Sequence, residues 1–111
     1  MNRSAKTYVF DIDGTLCTLT DGEYDKAEPL QERISKLNNL YDEGHTVILH
    51  TARGMGRNNN DTVKAILEFY DFTKLQLSQW DIKYHHLFLG KPAGDYYIDD
   101  KGVNDGDFFG N

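Results

Sequence analysis

Residues 8–15 read Tyr8-Val9-Phe10-Asp11-Ile12-Asp13-Gly14-Thr15. Tyr8, Val9, Phe10 and Ile12 form a short apolar, β-prone run that Asp13-Gly14 closes as a turn, the pattern of a buried strand. Two carboxylates therefore stand where a strand ends. Side chains two apart on an extended backbone point the same way, so Asp11 and Asp13 are expected to face one spot, with Gly14 allowing a sharp turn away.

Outward from this strand, apolar runs alternate between strand and helix periodicity. Thr15 to Lys26 is polar, carries the turn signal Asp21-Gly22 and reads as a loop or small hairpin. Pro29 suits the first turn of a helix whose apolar stripe is Leu30, Ile34, Leu37 and Tyr41, with Gly44 ending it. Val47, Ile48 and Leu49 make a second buried strand, followed by a loose stretch from Thr51 to Asn60. Asp61 can cap the next helix, with the stripe Val63, Ile66, Leu67 and Tyr70. Thr73 to Trp80 reads as a short helix leading to a third strand around Tyr84 to Leu89, and Tyr96, Tyr97 and Ile98 as a last short strand. Buried strands alternating with helices argue for an α/β layer fold with a mainly parallel sheet.

The chain has 111 residues, a length for a single domain, 1–111. A core of that size needs no disulfide or zinc staple. Cys17, the only cysteine, can form no internal disulfide and suits a reducing, cytoplasmic compartment. Against 18 Asp and Glu stand 12 Lys and Arg, a net charge of −6, which argues against nonspecific nucleic-acid binding. No apolar run approaches the roughly 20 residues of a membrane span, and Met1 to Lys6 lead straight into a strand, so neither a signal peptide nor an anchor is expected.

In open α/β sheets, ligands bind beyond the carboxyl ends of the strands. At those ends stand Asp11 and Asp13, then His50-Thr51-Ala52-Arg53, then Lys91, then Asp99-Asp100. Several carboxylates with a hydroxyl and an ammonium, and no Ser/His/Asp set, point to an oxygen-ligated divalent metal beside a phosphate.

These motifs resemble those of haloacid dehalogenase superfamily phosphatases. Asp11-Ile12-Asp13-Gly14-Thr15-Leu16 matches the family's first motif, Thr51 its second, Lys91 its third and Asp99-Asp100 its fourth, together spanning nearly the whole chain. More narrowly, His50-Thr51-Ala52-Arg53-Gly54-Met55, Gly90-Lys91-Pro92 and Tyr97-Ile98-Asp99-Asp100 are similar to small capless phosphatases associated with bacterial capsule and surface-polysaccharide synthesis. The resemblance implies a three-layer Rossmann-like fold without a cap domain. It implies Mg²⁺-dependent phosphomonoester hydrolysis through an aspartyl-phosphate, with Asp11 as nucleophile and Asp13 as general acid and base. It further implies phosphate contacts from Thr51, Ala52, Arg53 and Lys91, and metal ligation by Asp11, the Asp13 carbonyl, Asp99 and Asp100. The expected partner is a small phosphorylated substrate, in particular a sugar phosphate, with a homo-oligomer as one source of a lid. Members with caps carry specificity in inserts for which the gaps here are too short, leaving Thr18 to Lys26 as at most a flap. A nucleotide phosphatase, a phosphotransferase and a non-catalytic phosphate-binding or regulatory module are the alternatives.

One spacing departs from the family pattern: seven residues separate Lys91 from Asp99. No crossover helix fits there, so either the third strand is irregular or the last is very short. Other features have plainer readings. An EF-hand loop beginning at Asp11 would need Gly at its sixth position and Glu at its twelfth, where Leu16 and Gly22 stand. Asp99-Asp100 alone reads as a solvated turn. Arg53 is a surface charge or a substrate contact. His85 and His86 face opposite ways on a strand and cannot easily share one ion, which favours structural roles. His50 is expected to pack against a helix, and Phe108-Phe109 to cover the sheet or join a partner chain.

Overall fold

The computed structural model describes residues 4–110. In chain order the elements are β1 (Thr7–Phe10), a 3₁₀ turn (Tyr24–Lys26), α1 (Gln31–Asp42), β2 (Thr46–Thr51), α2 (Thr62–Gln79), β3 (His86–Leu89) and α3 (Asp105–Phe109). The strands form one parallel sheet in the order β1-β2-β3. Phe10 lies opposite Leu49, and Thr51 opposite Leu89, so the three strands end side by side.

The pleat sorts the side chains by face. Phe10, Val47, Leu49, Thr51 and Leu89 are buried, and Ile34 and Leu37 of α1 and Leu77 of α2 belong to the same core. Val9, Ile48, His50, His86 and Phe88 point the other way, with Val9 at 61% and Phe88 at 53% exposure. The α/β class, the parallel sheet and the absence of a cap hold. Of the three layers expected, the described residues supply the sheet and one helical layer. His50 therefore lies on the open face and does not face a helix. Phe108 and Phe109 of α3 pack tilted or edge-on against Tyr8 and Phe10 of β1, so they cover the helical face of the sheet.

Three local expectations need correction. Helix α1 begins at Gln31, not Pro29; Pro29 forms a bridge with Cys17, and the Leu30 amide donates to the Leu16 carbonyl. Asp61 does cap α2, accepting from the Lys64 amide, but the helix runs unbroken through Thr73 and turns a different face inward. Its buried residues are Ala65, Thr73, Gln76 and Leu77, while Val63 and Leu67 are 65% and 82% exposed. Two of the buried positions are polar because they serve the loops over the sheet, as described below.

The third correction concerns Tyr96 to Ile98, which form no strand. Pro92 lacks an amide for sheet pairing, and the short link after Lys91 curls on itself. The Tyr97 hydroxyl donates to the Pro92 carbonyl at 2.6 Å and accepts from the Gly94 amide at 3.1 Å. Tyr96 and Ile98 are left 87% and 99% exposed.

Candidate active site

Just past β1, the backbone folds tightly on Ile12, whose carbonyl receives the amides of Thr15 and Leu16. Ile12 is fully buried and anchors the turn, and Gly14 takes φ +81°. This turn separates the two carboxylates that flank Ile12. Asp11 remains about one-third exposed, with Lys91 Nζ 3.7 Å from its Oδ1. Burial pushes its carboxyl above the ordinary carboxylate range, against the opposing pull of Lys91.

Asp13 is more enclosed, at 17% side-chain exposure. Arg53 grips both of its oxygens: Nε donates to Oδ2 at 2.9 Å and Nη2 to Oδ1 at 3.1 Å. The Cys17 thiol lies 3.4 Å from Oδ1. Burial, with the Asp13 charge behind it, pushes that thiol up to about 12, so it stays protonated and is a donor.

Thr51 ends β2, and its buried Oγ1 accepts from the Arg53 amide at 3.2 Å, holding the next turn close to the strand. Ala52 lies between them, half-buried. Lys91 is placed by its own amide, which donates to the Thr51 carbonyl at 3.2 Å. Gly90 before it has φ +98°, and a Cβ there would stand 2.8 Å from Thr62 Cγ2, so the approach of this segment to α2 requires glycine. The Lys91 ammonium also lies 4.3 Å from the centroid of the Tyr97 ring. His50 sits within the field of both Lys91 and Asp11, and burial, then Lys91, lower its imidazole. The motif pattern gave no role to this histidine.

The structure thus brings Asp11, Asp13, Thr51, Ala52, Arg53 and Lys91 to the carboxyl ends of adjacent strands. It does not bring Asp99 and Asp100 there. Asp99 Oδ1 accepts from the Lys101 amide, which is the main cause holding its carboxyl below the ordinary range. Asp100, 82% exposed, lies 3.4 Å from Lys101 Nζ. Among the described residues no group of three or more His, Cys, Asp or Glu converges to hold a metal ion. The available donors, the Asp11 carboxylate and the Asp13 backbone carbonyl, are hard oxygens of the kind Mg²⁺ takes. Their chemistry fits that ion, and their number requires further oxygen ligands.

Arg53 is not a surface charge, having 0% side-chain exposure, and its guanidinium is engaged by Asp13 and Thr73. His85 is structural: its Nδ1 accepts from the Val47 amide at 3.0 Å, and its ring stacks on Tyr41 at 4.5 Å. The residues that sequence reasoning missed are those beneath the site. Tyr24, in the 3₁₀ turn, accepts from the Gly54 amide through its hydroxyl at 3.0 Å and lies under the Arg53 guanidinium at 4.8 Å. Gln76 donates to the Tyr24 carbonyl at 2.8 Å, and Thr73 accepts from Arg53 at 3.2 Å. A lone aromatic in a polar stretch and two polar residues within a helix carry no periodic signal; only a polar pair on the inward face of α2 could have hinted at them.

No protein-family model and no curated protein sequence matches the chain. Solved structures do. The crystal structure of an MCSG target from Vibrio cholerae superposes with a TM-score of 0.86 at 25% identity, covering 94% of this chain and 87% of that one. A chain of the Pnkp1/Rnl/Hen1 complex gives 0.59 at 22% identity over 89% of this chain and 32% of that chain. D,D-heptose 1,7-bisphosphate phosphatase from B. bronchiseptica, complexed with magnesium and phosphate, gives 0.54 at 24% identity over 88% of this chain and 54% of that chain. These likenesses show that the chain shares the α/β fold of these structures.

Proposed function

We propose that the protein is a phosphomonoesterase that works through an aspartyl-phosphate on Asp11. The observation that carries this reading is the Asp11–Lys91 pair. A part-exposed carboxylate stands at a strand end with an ammonium at 3.7 Å, where it can meet an anionic substrate. Two negative groups that approach to 4 Å repel by on the order of 4 kcal/mol per pair of unit charges at an effective dielectric near 20, so positive charge is needed at the site. Lys91 supplies part of it.

In the first step an Asp11 carboxylate oxygen attacks phosphorus, the bond from phosphorus to the leaving oxygen breaks, and Asp13 gives its proton to that oxygen. In the second, Asp13 takes a proton from water while the water oxygen attacks phosphorus, releasing inorganic phosphate and restoring Asp11. Thr51, the Ala52 backbone and Lys91 bind the phosphoryl oxygens. Mg²⁺ is the cation assigned: Asp11 and the Asp13 carbonyl would hold it, with Asp99 and Asp100 as the further oxygen ligands, and when bound it would supply the charge that lets a carboxylate meet a phosphate dianion. Tyr97 packs on Lys91, and Asp99 follows Tyr97 by two residues, at most about 7 Å of chain, so the Asp99-Asp100 segment would have to turn toward Asp11 to supply those ligands. The magnesium and phosphate bound to the heptose bisphosphate phosphatase support the same choice of ion and of a sugar phosphate as substrate class. The single free thiol suits a cytoplasmic setting, and a second copy of the chain would supply a lid over the open site.

Asp11→Asn is expected to abolish turnover of p-nitrophenyl phosphate while the variant stays folded by circular dichroism; full activity would overturn the mechanism. Chelation should remove activity and added Mg²⁺ restore it, with Asp99→Ala and Asp100→Ala each raising the Mg²⁺ concentration needed for half-activation. A panel of sugar phosphates and nucleotides, with light scattering for the oligomeric state, tests the substrate class and the lid.

A further inference from the structure

Arg53 is a fully enclosed cation that the mechanism above does not use. A guanidinium keeps its charge at any ordinary pH, and burying one without partners is costly, so its partners indicate what it is for. Two of its donors form a fork on Asp13, at 2.9 and 3.1 Å. A third reaches Thr73 Oγ1 at 3.2 Å, and Tyr24 lies against its face. Both supports are themselves held: Thr73 is on α2 at 0% exposure, and Tyr24 is tied to Gly54 and Gln76.

A carboxylate offers about four acceptor positions, two on each oxygen. On Asp13, Oδ1 receives Arg53 Nη2 and faces the Cys17 thiol, whose shorter contact is with this oxygen rather than with the Ile12 carbonyl at 3.7 Å. Oδ2 receives Arg53 Nε alone. Three positions are taken, and the one left open is on Oδ2. We propose that Arg53 is the positioning residue of Asp13: with Thr73 and Tyr24 behind it and Cys17 beside it, it fixes the carboxylate so that Oδ2 alone exchanges a proton with the leaving group and then with water. This assigns Arg53 to the acid–base carboxylate and not to the phosphate. It rests on the phosphomonoesterase reading, because it gives a partner to that reading's general acid.

The role has a signature that a merely structural arginine lacks. p-Nitrophenoxide leaves with little help from an acid, whereas an alkoxide needs its proton. Arg53→Lys keeps the charge but loses the two-pronged grip. It is expected to lower kcat on an alkyl phosphate such as glycerol phosphate by roughly tenfold or more beyond its effect on p-nitrophenyl phosphate, with KM and inhibition by inorganic phosphate little changed. Thr73→Val, which removes only the rear support and keeps the side-chain volume, should show the same leaving-group dependence at smaller amplitude; it carries the test if the lysine variant does not fold. In an Asp13→Asn background neither substitution should add a leaving-group-dependent loss. Equal losses on both esters, or a raised KM with weakened phosphate inhibition, would overturn the positioning role while leaving the activity intact. Failure of the unaltered protein to hydrolyse either ester would instead remove the phosphomonoesterase reading, and the positioning role with it.

Discussion

At Asp11 and Asp13, two residues of one kind, spaced to face the same way, have been given different surroundings. The turn around Ile12 leaves Asp11 beside Lys91 and delivers Asp13 to Arg53. Both carboxylates were legible as a strand-end pair, but nothing in Asp-Ile-Asp-Gly distinguishes one from the other; the distinction comes from Arg53, 40 residues further along. The burial of Asp11 has a consequence for stability. Its folded-state carboxyl is raised, so the folded protein holds that proton more tightly than the unfolded chain does. Stability from this group is therefore full below its unfolded value of 3.8 and is lost as pH rises through the folded value. Asp11→Asn should accordingly raise Tm at pH 7 and change it little near pH 3, as measured by thermal melts at the two pH values. A lower Tm at pH 7 would mean that pairing with Lys91 outweighs the cost of burial.

Helix α2 shows best what periodicity reaches and what it does not. Its existence and its Asp61 cap follow from local chemistry, since a short acceptor just before the first turn satisfies a free amide. Its orientation does not. The stripe Val63, Ile66 and Leu67 is the more apolar choice, yet Ala65, Thr73, Gln76 and Leu77 go inward. The loop after β2 must lie against this helix for Arg53 to reach Asp13, and only small or hydrogen-bonding residues accommodate it. Gly54 marks the closest approach: its φ is +78°, and a Cβ would stand 2.6 Å from Phe69 Cδ2 and 3.2 Å from Ala65 Cα. Gly54→Ala is expected to cost ~1–3 kcal/mol, read from urea unfolding, and to weaken activity by moving Arg53. Wild-type stability in that variant would show that the loop has another way to pack.

Across the whole molecule, three parallel strands share one helical layer, and their carboxyl ends form the shelf on which the candidate site stands. The layer is completed by α3, whose Phe109 is 8% exposed, packs at a tilt against Phe10 and lies under the Arg33 guanidinium at 4.9 Å. Phe109→Ala should destabilise the protein by roughly 3 kcal/mol in chemical denaturation, because a large ring leaves a cavity at the edge of the core. A negligible loss would show that α3 contributes little to it. By itself the sequence determined the alternation of strands and helices, the polar residues at the strand ends and the caps and turns around them, because each depends on neighbours a few residues away. Tertiary structure alone decided which face of α2 is buried, which of two equivalent aspartates is gripped by Arg53, and that Tyr96 to Ile98 fold back instead of pairing. Those outcomes depend on contacts between segments far apart in the chain, where close packing and the need to pair buried charges override local preference.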